Sequence, residues 1–279
     1  MPPRVPMSTI TLSGLFVYPV KGARGITLDR ARAQGLGIEH DRRFMIVDPD
    51  GEFLTQREHP EMALLETAIE GDTLVLRAKG HGPLRLPLRP EGPTDRRVRV
   101  WSDKCGAVFV GDEAAAYLSD VLGRRAELVY MPDDATRRVD GRYVNRKERV
   151  AFADGFPYLL ASEGSLADLN ARLREGVLMD RFRPNLVVRG APPWAEDAWT
   201  SLSIGSVVFH LRKPCSRCSV ITVDQATGVR GKDPLATLAT FRARSNRVYF
   251  GWNMVAEGEG EICVGDVVTL GARSYDEAG

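Results

Sequence analysis

Runs of β-branched and aromatic residues, each only a few residues long and closed by glycine, proline or aspartate, recur along almost the whole chain. Runs of that length and composition predict strands, which must find partners in a sheet. The first is TITLSGLFVYPV, from Thr9 to Val20. RRFMIVDPDGEFLTQ places two apolar runs around Asp48-Pro49-Asp50-Gly51, and ALLETAIEGDTLVLRA turns at Glu70-Gly71-Asp72, so both predict hairpins. LRLPL, RRVRVW and GAVFVG follow, then AELVYM, NLVVRG, SLSIGSVVFHLRKP, SVITVD, RVYFGWNMVA and GDVVTL. The 27 glycines and 17 prolines among 279 residues supply the turns that a strand-dominated chain needs.

Three helical patterns interrupt the strands. DEAAAYLSDVLG has Asp112 as a cap, Ala115, Leu118, Val121 and Leu122 on one face, and Gly123 as its stop. SEGSLADLNARL has Ser162 as a cap with Leu166, Leu169 and Leu173 at helical spacing, and LATLATFRA is a shorter pattern. The expected class is mainly β with a few helices (α+β), and short strands at close spacing favour a barrel. A domain transition is expected near the first helix. With no repeat and no flexible linker, the two parts are expected to pack together.

Charge narrows the partners. Thirty-eight Lys+Arg against 37 Asp+Glu leave a net charge of +1, so no nucleic-acid binding is expected and any anion must be met by a local cluster. No apolar run of about 18 residues is present to cross a membrane. The opening MPPRVPMSTITLSGLF has early prolines and no long apolar stretch, so the expected location is cytoplasmic. Four cysteines are too few for a disulfide framework.

Two of them form Lys213-Pro214-Cys215-Ser216-Arg217-Cys218. The β-branched residues after Cys218 predict a strand, which argues against the helix of a thioredoxin-type site. A zinc site would need a second ligand pair, and only Cys105, Cys263, His40, His59, His81 and His210 remain to provide one. Arg212, Lys213 and Arg217 surround the pair, and nearby cations favour the thiolate, the form that ligates metal. A soft thiolate beside fixed cations suits a metal carried by an anionic organic cofactor. The competing expectation is a solvated strand end.

This element, with Thr222-Val223-Asp224 and Thr227-Gly228, closely resembles the signature of MOSC-domain proteins, in the subgroup of the amidoxime-reducing component and its bacterial relatives. VYPVKG, DRRFMIVD and LTQR are similar to that family's N-terminal β-barrel module. DGFPYLLAS, SLADLN, FRPN, AEDAW and VGDVV resemble the MOSC domain in the same order. The resemblance implies an N-terminal β module, 8–123, packed on a MOSC β-barrel, 124–273. It implies one molybdenum cofactor, Mo-molybdopterin, with Cys218 as the metal ligand and catalytic centre.

Molybdopterin brings a phosphate and a hydrogen-bonding ring, which call for cations and polar groups. By resemblance these are Lys21, Arg43, Arg183, Asn185, Ser216 and Arg217, with Gly155, Phe156 and Ser162 as further cofactor-binding candidates. Each has a structural alternative: Arg43 or Arg183 could pair with Asp41 or Asp180, and Ser162 already serves as a cap. Asp154 could donate a proton or stabilise a turn. Trp194, Trp199 and Trp252 could wall an entrance or be buried.

The implied activity is reduction of N-hydroxylated compounds such as amidoximes, hydroxylamines and N-hydroxylated bases. After Cys218 only Cys263 remains, too few cysteines for a plant-type iron–sulfur cluster, so electrons are expected from a separate flavin reductase, ferredoxin or cytochrome. The alternative is a carrier of molybdenum cofactor, or of sulfur on Cys218, without reductase activity.

Overall fold

The computed structural model describes residues 9–144 and 147–271. The expected domain limits Ser8 and Arg273, and Asn145 and Arg146 of the basic loop, lie outside the described residues. Strands dominate and three α-helices are present among the described residues, in the α+β class, with a β module at the N-terminal end.

The largest sheet runs in the order Val268–Leu270, Ser201–Ile204, Val207–Arg217, Arg247–Glu257, Tyr158–Ser162, Leu186–Arg189, Thr11–Val17 and Ile26–Leu28. It closes on itself. Thr11 bridges Val267, Leu12 N donates to Asp266 O at 2.9 Å, and Val268 N donates to Ile10 O at 2.9 Å. The chain's first strand therefore completes a barrel whose other closing strands all lie between Tyr158 and Leu270. Closure removes the unpaired edges that an open sheet would expose. Leu12, Leu15, Leu160, Leu186, Leu202, Phe209 and Met254 fill the interior, all fully buried.

A five-stranded sheet, Arg96–Val100, Asp103–Phe109, Glu127–Tyr130, Phe44–Val47 and Val20–Lys21, forms the heart of the N-terminal module. Beside it lies the sheet Glu66–Glu70, Thr73–Arg77 and Leu84–Pro87, whose first hairpin turns at Gly71-Asp72. The first helix, α1, Asp112–Leu122, covers these sheets with Ala114, Leu118 and Leu122. It starts one residue away from expectation. Gly111 is the cap and Asp112 the first helical residue, so Ala114 rather than Ala115 faces the core. Gly123 ends it in the left-handed region, φ 61°, where glycine carries no steric penalty.

The second helix, α2, Glu163–Asn170, stops before Leu173, and the Ser162 hydroxyl makes no capping bond. The third, α3, is Leu235–Phe241. A correction applies after Cys218. Ser219–Thr222 is a 3-10 turn, not a strand, and Ile221 is buried with Phe182, Leu238 and Phe250. Burial inside the bend, rather than strand pairing, uses these β-branched residues, so context overrides propensity.

The longest strands, Val207–Arg217 and Arg247–Glu257, carry the C-x-x-C element to its place. Their register slips by one residue between Leu211 and Lys213 and slips back between Pro214 and Ser216. Such bulges re-aim side chains next to functional sites. The second slip falls opposite Gly251, whose φ is 77° and where an added Cβ would lie 2.5 Å from Leu160 O. Gly251→Ala is therefore expected to lower the Tm by about 2–12 °C through backbone strain and clash. Gly82→Ala, which meets nothing within 4 Å, serves as the control and should melt with the parent in thermal unfolding. Equal melting of all three would contradict the bulge assignment.

Candidate active site

A cleft opens where the N-terminal module meets the barrel. Lys21, Gly155, Phe156, Arg183, Asn185, Ser216, Arg217 and Cys218 all line it, although they are scattered over nearly two hundred residues of sequence. Arg43 and Ser162 do not. Arg43 turns away, with Nε donating to Met131 O at 2.9 Å, an ion pair to Asp133 at 2.9 Å, and its guanidinium over Tyr130. Its neighbour Arg42 enters the cleft instead. Arg42 lies in the turn before the strand Phe44–Val47, with φ 49°, and its backbone bonds Tyr18 O and Phe152 N. Ser162 is fully buried at the start of α2, and its Oγ finds no partner.

Cys218 stands at the end of the strand Val207–Arg217, at the start of the 3-10 turn. Arg57 Nη2 donates to its Sγ at 3.2 Å, while Arg217 Nη1 donates to Cys215 Sγ at 3.0 Å. Both cysteines are free thiols. Of the three cations adjacent in sequence, only Arg217 contacts either sulfur. Arg212 is exposed, and the Lys213 ammonium lies over Tyr143, 4.6 Å from the ring centroid. The cation on Cys218 comes from the distant LTQR motif.

That motif is firmly held. The side chains of Gln56 and Gln225 bond each other in the interior, and Arg230 Nη2 donates to the carbonyls of Gln56 and Arg57. The Arg57 guanidinium also lies over Trp101, 4.2 Å from the ring centroid. Trp101 sits at the tip of the hairpin joining Arg96–Val100 to Asp103–Phe109 and has φ 58°. It is the tryptophan at the cleft. Trp194 and Trp252 instead donate their indole N–H groups to Asp168 and Asp197, and Trp199 packs against the barrel core. An aromatic at a turn tip, where small polar residues are usual, is the sequence signal that could have marked Trp101.

Behind the cleft, Asp41 organises a buried network. Its Oδ1 accepts from Tyr18 N at 2.9 Å and Asn185 Nδ2 at 3.0 Å, and its Oδ2 accepts from Arg42 Nη1 at 2.6 Å. Asn185 also donates to Phe16 O at 3.2 Å and accepts from Arg42 Nη1 at 3.1 Å and Leu159 N at 3.2 Å. All four of its hydrogen-bonding positions are thus used within the protein. Asn185 lines the cleft as a brace for Arg42. Arg42 and Arg183 both lie over the Tyr18 ring, at 4.4 and 4.3 Å. Burial pushes the Tyr18 hydroxyl up to about 12 and pulls Arg183 down to about 10.

Lys21, Arg42, Arg57, Arg183 and Arg217 line the cleft against a single lining carboxylate, Asp154. Arg183 Nη2 and Arg217 Nε are buried N–H groups without a partner among the described residues. Leaving such donors unpaired costs free energy, so the cleft is built for an acceptor that the chain does not itself supply. Among the described residues no three His, Cys, Asp or Glu side chains gather to hold a metal ion, so a metal at Cys218 must bring most of its own ligands. Two free thiols, a surplus of cations and unpaired guanidinium N–H groups fit a metal on an anionic organic cofactor.

Asp154 accepts from both Lys21 Nζ and Trp101 Nε1 on the same oxygen, Oδ1, the latter at 3.2 Å. Crowding by the cleft walls opposes its ionisation although the side chain stays open to solvent, and the Lys21 ammonium, with Trp101 and Arg57, outweighs that and holds the carboxyl well below the usual range. It is an acceptor in the cleft, not the proton donor considered from sequence. Its loop is fixed by Arg137, which donates to the carbonyls of Ala151, Ala153 and Asp154. Burial lowers Lys21, and Asp154 works against that lowering. Asp154→Asn should therefore leave more neutral Lys21 amine, raising its acetic anhydride labelling at pH 8 about threefold or more. Unchanged labelling, read by peptide mass spectrometry, would contradict the pairing.

The similarity to known proteins agrees with this geometry. Residues 9–125 match the MOSC N-terminal beta barrel domain and residues 147–269 match the MOSC domain. The chain is 33% identical to mitochondrial amidoxime-reducing component 1 of Homo sapiens, over 93% of this chain and 82% of that protein. It is 34% identical to mitochondrial amidoxime reducing component 2 of Bos taurus, over 92% and 82%. A molybdenum cofactor sulfurase of Oryza sativa subsp. japonica is 30% identical over 96% of this chain, which spans 36% of that longer protein. No helix among the described residues is long and apolar enough to cross a membrane. With both domains matched and such relatives aligned over most of its length, this chain belongs to the MOSC-domain family that includes the amidoxime-reducing components.

Proposed function

We propose that this chain is a molybdenum-cofactor-dependent oxidoreductase that reduces N-hydroxylated compounds, taking electrons from a separate donor protein. The observation that carries it is the Cys218 thiol, in contact with Arg57 at 3.2 Å, on the wall of a cleft where Arg183 and Arg217 keep buried N–H groups unpaired. Kinship with amidoxime-reducing components supplies the reaction class.

Each residue has a separate task. Cys218 would ligate the metal, and Arg57, fixed by Trp101 and Arg230, holds that sulfur in place. Arg183 and Arg217 offer their free N–H groups to the acidic and ring acceptors of the cofactor, with Ser216 beside them. Arg42 adds positive charge in an orientation fixed by Asp41 and Asn185. Lys21 and Asp154 form the polar wall next to Gly155 and Phe156. When bound, the cofactor would supply the two-electron chemistry of the reaction. The overall change is consumption of two electrons and two protons, cleavage of the N–O bond, and release of the amine or amidine with water. On that wall Lys21 carries the proton and Asp154 accepts its hydrogen bond.

Purified from a cofactor-competent host, the chain is expected to contain near-stoichiometric molybdenum and pterin and to reduce benzamidoxime with dithionite-reduced dye. Cys218→Ser should lose at least about tenfold in activity, the scale of losing a metal ligand. Transfer of cofactor to an apo-acceptor without benzamidoxime reduction would favour a carrier instead. Absence of metal even after reconstitution would contradict the proposal.

A further inference from the structure

Trp101 is a large aromatic in a position that usually excludes one. The residue is 41% exposed, and its backbone takes φ 58°, a conformation rarely adopted by bulky residues. Three contacts fix it there: the Arg57 guanidinium at 4.2 Å, the edge of Phe53 at 4.9 Å, and its own N–H on Asp154 Oδ1 at 3.2 Å. Through Arg57 it stands two contacts from the Cys218 sulfur. Strain that is retained and braced in this way is characteristic of functional positions.

Asp154 completes the feature. Lys21 and Trp101 both bond Oδ1, and no hydrogen bond to Oδ2 is recorded among the described residues. The carboxylate side chain is 67% exposed, and the residue lines the cleft. An open carboxylate oxygen accepts an N–H donor, while an indole beside it offers a flat π surface. Together they match a planar, conjugated molecule with an N–H group next to the N–O bond.

We propose that Trp101 and Asp154 form the substrate subsite of the cleft and select planar N-hydroxylated molecules, arylamidoximes and N-hydroxylated heteroaromatic amines, over flexible alkylhydroxylamines. This rests on the reductase assignment above and adds the residues that set its preference. Trp101 provides the stacking face, and the Asp154 Oδ2 atom takes the N–H that an alkylhydroxylamine cannot present in the same plane.

The test compares kcat/KM for benzamidoxime with that for N-methylhydroxylamine in the molybdenum-loaded chain, using reduced dye. In Trp101→Ala the ratio should fall about tenfold, the size of one aromatic contact, a loss that a looser Arg57 shared by both substrates does not produce. Trp101→Phe should recover most of the ratio. An unchanged ratio in Trp101→Ala would overturn the subsite. A second measurement needs no turnover: without reductant, benzamidoxime should quench the full chain's indole fluorescence saturably, and Trp101→Phe should abolish that saturable component. Its persistence in Trp101→Phe would also overturn the proposal. Should the loaded chain reduce neither substrate, the reductase assignment fails, and the fluorescence titration still decides the subsite.

Discussion

Cationic groups drawn out of water without equal counter-charge are expensive, and the meeting of module and barrel is organised around that cost. Lys21, Arg42, Arg57, Arg183 and Arg217 converge on one cleft, which a single carboxylate, Asp154, lines with them. The protein meets part of the cost internally. Asp41 pairs with Arg42 and is itself bound by Asn185 and the Tyr18 N–H, while the Tyr18 ring lies under two guanidinium groups. The rest is left open, as the unpaired N–H groups of Arg183 and Arg217 show. A cleft in that condition is preorganised for an anion, because its donors need no rearrangement when one arrives.

The fold makes this possible by interlocking the two halves. The first strand closes the barrel through Thr11 and Val267, and the chain then leaves to build the N-terminal module. Asn185, between Phe16 and Leu159, braces the same seam from which Arg42 and Arg183 enter the cleft. Arg230 and Gln225, from beyond Cys218, clamp the backbone and side chain of the LTQR motif and so hold Arg57 on the sulfur. Metal-ligand geometry depends on such outer contacts as much as on the ligand itself.

Much of the architecture was legible in the sequence, because its signals are local. The turn at Glu70-Gly71-Asp72 and the glycine stop of α1 each depend on a few neighbouring residues, and the structure has both. The failures share a different cause. SVITVD carries strand propensity, but Ile221 is needed in the core beneath a bend. Arg42, with φ 49° and its backbone bonded to Tyr18 and Phe152 far away in sequence, enters the cleft, whereas Arg43 does not. Ser162 has the side chain of a cap, yet the cap bond is not made. Lysine and arginine neighbours of Cys218 were visible, whereas Arg57 reaches it only through tertiary structure. Ordered motifs named most of the residues that line the cleft; which member of each motif faces inward depended on packing.

The central claim is that Cys218 is the protein's bond to a molybdenum cofactor in this cationic cleft. Molybdenum X-ray absorption on the loaded chain tests it directly by counting sulfur neighbours of the metal. The parent should show one more sulfur than the two a dithiolene provides, and Cys218→Ser, reconstituted with free cofactor, should show that one lost. The same sulfur count in both proteins would contradict thiolate ligation by Cys218 and with it the assignment of the cleft.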